Sequence, residues 1–483
     1  MKRLRNGTGQ IRGTISIAFL AAMALLAGCG LFAGNAKQEE AKPDEPKVVR
    51  YEGPMSKEFP FVYTTKKELA LTFNGMGSEK MMRNLLDTLD TYQIKATFFV
   101  PGMRVAEEPD IAKMIVERGH ELENNTLNRL DMTKLDYEQI HKEIQMSNTI
   151  IERETGVAPR YLRTRSGDFN DDIRLAAAQN GMDAVVSYSL FLHNWQGEDA
   201  KDKYLYLRKY ITRGGIIAID TQEDEDIIEA VSLLAKASID VGYRFIPLHD
   251  LALHGSERKP LEQIPGYDAA KLNPDYENAK YRMFAKKETS RKEIALTFDD
   301  WGTDYTVTKI LDILAEKQVK ATFFLRANGA EANPNLARAI VDEGHQAANH
   351  SYSHPVVTTL TPEQLQEEVI KAHQVITYAI QQKPAMIFRP PTGEVDDKTA
   401  RIIAATGYSN IALYDVTTFD WDVNNSADKI VNTIMNKIDS GSVILLHILD
   451  DIHTVEALPV AIDRLKSEGF TFVKLVDMMG LTD

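Results

Sequence analysis

The 483-residue chain has a single cysteine, Cys29. One thiol cannot close an intrachain disulfide, so the fold rests on its apolar cores, and thiol chemistry is excluded from everything after that residue. Positive charge is also scarce: 56 Lys and Arg stand against 70 Asp and Glu, a formal net charge of −14. That sign repels a phosphodiester backbone and argues against nucleic acid as a partner. The apolar stretch 15–27 is shorter than the roughly 20 residues that span a bilayer. What the chain does have is length and a 43% hydrophobic content, enough for two sizeable cores.

Residues 1–28 carry Lys2, Arg3, Arg5 and Arg12, no carboxylate, and then the apolar stretch ending in Leu26-Ala27-Gly28. This predicts a secretory signal peptide. The small residues before Cys29 resemble a bacterial lipobox, which implies a diacylglyceryl thioether on Cys29 and an extracytoplasmic protein whose only tie to the membrane is that lipid. Residues 29–60, polar and proline-bearing, read as a tether, and 253–286, with Pro260, Pro265 and Pro274, as a linker between domains.

Between tether and C-terminus the sequence repeats itself with a period of about 225 to 227 residues. Lys67-Glu68-Leu69-Ala70-Leu71-Thr72-Phe73 returns as Lys292-Glu293-Ile294-Ala295-Leu296-Thr297-Phe298, Lys95-Ala96-Thr97-Phe98-Phe99 returns unchanged from Lys320 to Phe324, and Gly119-His120 as Gly344-His345. Such a period is a duplicated domain, not a solenoid unit. Met82, Leu85, Leu86 and Leu89, like Val307, Ile310, Leu311 and Leu314, have helical spacing between two apolar runs, which gives a βαβ unit in each copy. Thr361-Pro362-Glu363-Gln364 and Asp136-Tyr137-Glu138-Gln139 have the composition of capped helix starts. Each copy is expected to be a parallel α/β domain, with active groups at the carboxyl ends of its strands. Periodicity alone leaves barrel and open sheet as alternatives.

In the second copy five groups follow apolar runs: Asp299-Asp300, His350-Ser351-Tyr352-Ser353-His354, Arg389-Pro390-Pro391-Thr392-Gly393, Asp420-Trp421 and Leu445-Leu446-His447. The four-residue spacing of the histidines suggests one side of a helical turn. Two imidazoles and a carboxylate make a three-ligand site with a position left for water, as in catalytic zinc centres.

In this order the five groups resemble the motifs of the polysaccharide deacetylase (NodB homology) family. The resemblance implies two tandem distorted (β/α)-barrels, 61–252 and 287–483, and hydrolysis of acetyl groups by a divalent metal, zinc by default, with cobalt, nickel, manganese or iron also compatible. It implies Asp300, His350 and His354 as metal ligands, Asp299 as general base positioned by Arg389, His447 as general acid oriented by Asp420, the Thr392 N–H as oxyanion donor, and Trp421 and Leu445 as walls around the acetyl methyl. The implied partner is an acetylated glycan such as peptidoglycan or an exopolysaccharide; O-acetyl esterase activity, hydrolysis of another C–N bond, or non-catalytic glycan binding are the alternatives. Oligomeric state is not legible. Trp301, Thr392 and Thr417 depart from the family pattern and bear on substrate shape.

Aligning the copies sets Asn74 against Asp299, Gly75 against Asp300, Asn125 against His350, Arg129 against His354, Asn194 against Asp420 and Asp220 against His447. Each ligand, base and acid is replaced, while Phe73, Phe98, Phe99, Gly119, Arg163 and Trp195 persist. The first copy is therefore expected to keep the fold without the metal chemistry, with Arg129 supplying the positive charge.

Overall fold

The computed structural model describes residues 47–192, 198–222 and 226–481. Cys29, the expected signal peptide and most of the expected tether, together with Asn194 and Trp195, lie outside the described residues. The segment Val48–Asp483 forms one compact unit. No helix among the described residues is long and apolar enough to cross a membrane.

Both copies build the same parallel sheet, curled into an open barrel. In the first, the strands lie in the order Lys57–Phe59, Ala184–Val186, Tyr161–Leu162, Glu121–Asn124, Thr97–Val100, Glu68–Asn74, Ile216–Asp220, Leu190–Leu192, and Arg244–Phe245 pairs with the start of Glu68–Asn74. In the second the order is Arg282–Phe284, Asn410–Ala412, Ala385–Phe388, Gln346–Asn349, Thr322–Leu325, Glu293–Asp300, Val443–His447, Val416–Thr417, with Thr471–Phe472 on Glu293–Asp300. The central strand Glu68–Asn74 is buried at every residue, the pattern of a parallel strand covered on both faces.

Strand alternation separates two cores. Ile294, Leu296 and Phe298 pack outward against Val307, Ile310 and Leu311 of the helix Asp304–Glu316. Ala295 points the other way, into a barrel interior shared with Phe324, Ala348, Ile387 and Val443. Thr297 and Asp299 follow Ala295 on that inner face, which delivers Asp299 to the barrel mouth. The helices Tyr137–Thr155 and Pro362–Ile380 both start in capping boxes, with Asp136 and Gln139, and Thr361 and Gln364, bonded reciprocally.

Two expected connectors are partly structural. Within 253–286, Arg282–Phe284 is an edge strand parallel to Asn410–Ala412, Ala270 is buried among Val369 and Tyr408, and Gln366 Nε2 donates to Asn273 O at 2.7 Å. The tether ends in the strand Lys57–Phe59, parallel to Ala184–Val186. Strands three residues long, flanked by prolines and charges, lack the alternation that would identify them.

Candidate active site

Asp299 and Asp300 close the strand Glu293–Asp300, and Asp299 is in register with His447 on the neighbouring strand. Backbone geometry then parts the two carboxylates: Asp300 takes a left-handed conformation, φ 77°. Asp299 Oδ1 accepts from Arg389 Nη1 at 2.7 Å, and its Oδ2 lies 3.8 Å from His350 Nε2. Arg389 is fully buried, donates also to Thr297 Oγ1 (2.8 Å) and Leu413 O (3.1 Å), and stacks 4.0 Å over the Phe324 ring. With its donors engaged on several sides, the guanidinium holds Asp299 in place.

The segment 350–354 is not a helical turn. Ser351 and His354 both have φ 66°, and the loop folds back so that the two imidazole centroids come within 5.0 Å. Asn349 Oδ1 accepts from Ser351 N (2.9 Å), Ser351 Oγ from His354 N (3.0 Å), and Glu368 from the backbone of Tyr352 (3.0 Å) and Ser353 (2.9 Å). Sequence reasoning missed Asn349 and Glu368. Their signal is the internal repeat, since Asn124 and Glu143 do the same work in the first copy, accepting from Thr126 N (2.6 Å) and Asn128 N (2.9 Å).

One ligand atom each from Asp300, His350 and His354 lies within 4.8 Å of the others. His354 Nε2 and Asp300 Oδ1 are 3.4 Å apart; a tetrahedron with bonds of about 2.1 Å has edges of roughly 3.4 Å. His350 Nδ1 is 2.8 Å from Arg389 O, which fixes the proton there and turns the Nε2 lone pair inward. Burial, outweighing the nearby carboxylates, holds His350 below its ordinary pKa and so neutral. The donor set fits a divalent cation.

On the other side of Asp299 stands His447. Its Nδ1 is 2.8 Å from Asp420 Oδ1, while Asp420 Oδ2 accepts from His447 N (2.8 Å) and Thr454 Oγ1 (2.6 Å). Burial pulls the His447 pKa down, but the hydrogen bond and charge of Asp420, aided by Asp299 and Asp300, prevail and leave it raised. Trp421, 41% exposed, packs its ring 5.0 Å from that of His447. Leu445 lies two residues before His447 on the same strand face, buried at 2% exposure. Thr392 sits in a left-handed kink, φ 62°, after Pro391.

The first copy preserves the shell and loses the charges. Thr126 and Arg129 repeat the left-handed pair at φ 66° and 55°, and Gly75 takes the Asp300 conformation at φ 80°. Arg129 Nη1 lies 3.0 Å from where a Cβ on Gly75 would be, and Nη2 pairs with Asp220 at 2.5 Å. A guanidinium thus stands where the second copy gathers Asp300, His350 and His354.

A family model described as polysaccharide deacetylase matches residues 62–185 and 286–411. Among curated proteins, a peptidoglycan-N-acetylglucosamine deacetylase of Bacillus cereus is 37% identical over 203 residues, 41% of this chain and 72% of that protein. The peptidoglycan-N-acetylmuramic acid deacetylase PdaA of Bacillus subtilis is 31% identical over 202 residues, 41% of this chain and 76% of that one. Among solved structures, the Bc1960 peptidoglycan N-acetylglucosamine deacetylase is 35% identical with a TM-score of 0.40, covering 42% of this chain and 94% of that chain. A pseudoenzyme of family CE4 from Bacillus anthracis, BA3943, is 28% identical with a TM-score of 0.39, covering 42% and 70%.

Proposed function

Because the chain belongs to the polysaccharide deacetylase family, matched once in each half, we propose that its second domain removes N-acetyl groups from a cell-surface glycan of the peptidoglycan or exopolysaccharide type. The observation that carries this is the convergence of Asp300, His350 and His354 between two buried, oppositely poised groups, the Arg389–Asp299 pair and the Asp420–His447 pair.

Asp300, His350 and His354 would hold a divalent cation, zinc in the first instance, which would supply Lewis acidity for acidifying water and polarising the acetyl carbonyl. Asp299, oriented by Arg389, accepts the proton of the attacking water. The Thr392 N–H faces the carbonyl oxygen as negative charge grows there. His447, whose pKa Asp420 raises, gives a proton to the departing amine, which is a poor leaving group without it. Trp421 and Leu445 wall the acetyl methyl. The first domain, with Asn74, Gly75, Asn125, Arg129 and Asp220 in place of Asp299, Asp300, His350, His354 and His447, is catalytically silent. Cys29 is proposed to anchor the protein outside the cell through its lipid.

Acetate release from N-acetylglucosamine oligomers and peptidoglycan, abolished by chelator and restored by zinc, is the expected result. Release from acetylated xylan alone would replace this reading with an O-acetyl esterase, and no release from any polymer would leave a glycan-binding protein.

A further inference from the structure

Arg213 stands at the base of the first domain, just ahead of the strand Ile216–Asp220, and only 1% of its side chain is exposed; its partner Asp304, in the second domain, is fully buried. Arg213 Nε donates to Asp304 Oδ1 at 3.2 Å, its backbone N to Oδ2 at 3.2 Å, and its Nη2 to Thr308 Oγ1 at 2.8 Å. Tyr243, also of the first domain, donates its hydroxyl to the same Oδ1. Of the donors to this carboxylate, Asn333 Nδ2 (2.7 Å) belongs to the second domain. In the first copy the equivalent position, Glu79, is exposed and pairs with Arg83 on its own helix. Burial of Asp304 is therefore a product of the contact between the domains.

Asp304 is the first residue of the helix Asp304–Glu316, four residues after Asp300. What lies between has little freedom. A Cβ on Gly302 would meet Ile448 O at 1.9 Å, and Thr303 bonds Asp450 Oδ1 through both N (3.2 Å) and Oγ1 (2.7 Å). Ile448 N donates to Asp299 O (3.1 Å) and Arg326 N to Asp300 O (3.2 Å). The segment 299–304 is held at one end by the strand that carries His447 and at the other by Arg213.

We propose that the silent first domain serves the active site of the second: Arg213 is a positioning residue that, through Asp304, fixes the segment 300–303 and keeps Asp300 in its left-handed conformation, facing His350 and His354. This rests on the deacetylase reading for its purpose but not for its geometry.

The test uses the full chain with Arg213→Met, which keeps most of the side-chain volume, and Asp304→Asn, which keeps the shape without the charge. The control is Lys67→Ala, which breaks a second interdomain pair, Lys67 with Asp312, farther along the same helix. Hydrogen exchange in metal-free protein should quicken at least about tenfold at the amides of Arg326 and Ile448 in both variants, with zinc affinity down by about 10- to 100-fold, while Lys67→Ala changes neither. Folded variants with wild-type exchange at these amides overturn the proposal. Failure of both variants to fold also overturns it, since the contact would then be one of stability alone. If the wild type binds no zinc, the deacetylase reading falls and the exchange result still decides the positioning claim.

Discussion

Asp420→Asn tests whether His447 acts as an acid. The carboxylate is completely buried, 2.8 Å from His447 Nδ1, and accepts from His447 N, Thr418 Oγ1 and Thr454 Oγ1. An asparagine keeps the volume and one acceptor and removes the charge. A unit charge about 4 Å from the imidazolium, at an effective dielectric of about 20, is worth about 4 kcal/mol, or about 3 pKa units. Asp299 and Asp300 remain, so a fall of about 1 to 3 units is expected. Burial, the largest single influence on this imidazole, then meets less opposition, and its pKa should fall. On the proposed role the protonated form is the active one, so activity should be lost as pH rises through that pKa. The alkaline limb of kcat/KM against pH, measured on an N-acetylglucosamine oligomer, should therefore move toward acid by that amount, with activity on the alkaline side of neutrality down by about 10- to 1000-fold. A nitrophenyl acetate, whose leaving group needs no proton, should be nearly indifferent. An unmoved limb, or equal losses on both substrates, would refute the assignment of His447.

Asp299→Asn should retain zinc in titration and lose acetate release by about 10² to 10⁴-fold; loss of the metal would instead make Asp299 a ligand. Asp300→Gly should abolish zinc binding yet raise the urea midpoint of the apoprotein by the equivalent of about 1 kcal/mol, because φ 77° strains an aspartate and suits the glycine that occupies the matching position, Gly75, at φ 80°. A lower midpoint would show that no strain is stored there. Burial pulls His120 and His345 down to about 4. Both states are neutral above about pH 6.5; below it the unfolded chain takes up protons that the folded chain refuses, so stability should fall between about 6.5 and 4 by up to about 3 kcal/mol per histidine. The double variant His120→Asn with His345→Asn should flatten that acid limb in denaturation curves.

The duplication, the parallel sheets and the gathering of the candidate residues were legible because a buried parallel strand is a short unbroken apolar run and polar groups collect at its carboxyl end. Asp299, Asp300, His447 and Arg389 each follow such a run. The capping boxes at Thr361 and Asp136 were equally plain, being local patterns of four residues. The shape of 350–354 was not: a four-residue spacing brings two imidazoles together in a helical turn or, as found, in a loop with two left-handed residues, and the sequence does not distinguish them. Glu368 holds that loop from a helix whose polar residues look like any solvated face. The strand Arg282–Phe284 hid in a stretch with the composition of a linker. Arg213 and Asp304, 91 residues apart, are ordinary charges until two domains pack.

The first domain retains a sign of its descent that can be tested. Arg163 repeats Arg389 in detail: it is fully buried, donates from Nη1 to Thr72 Oγ1 (2.7 Å) and from Nη2 to Ser187 O (2.8 Å), and lies 4.1 Å over the Phe99 ring. Where Arg389 Nη1 meets the Asp299 carboxylate, Arg163 Nη1 meets the neutral amide oxygen of Asn74, at 3.0 Å. Among the described residues no carboxylate lies within ion-pair distance, and burial pulls its pKa down to about 9. A buried cation solvated by dipoles alone is costly. Asn74→Asp should therefore stabilise the protein by about 1 to 3 kcal/mol, the range of a charge-assisted hydrogen bond. The gain should be present at neutral pH and vanish in acid as the introduced carboxylate is protonated. The competing influence is Asp220, paired with Asn74 across the sheet but already neutralised by Arg129. A variant less stable than the wild type at pH 7, with the difference shrinking in acid, would mean that repulsion from Asp220 outweighs attraction to Arg163, and that the first domain lost its aspartate because it could not keep both charges.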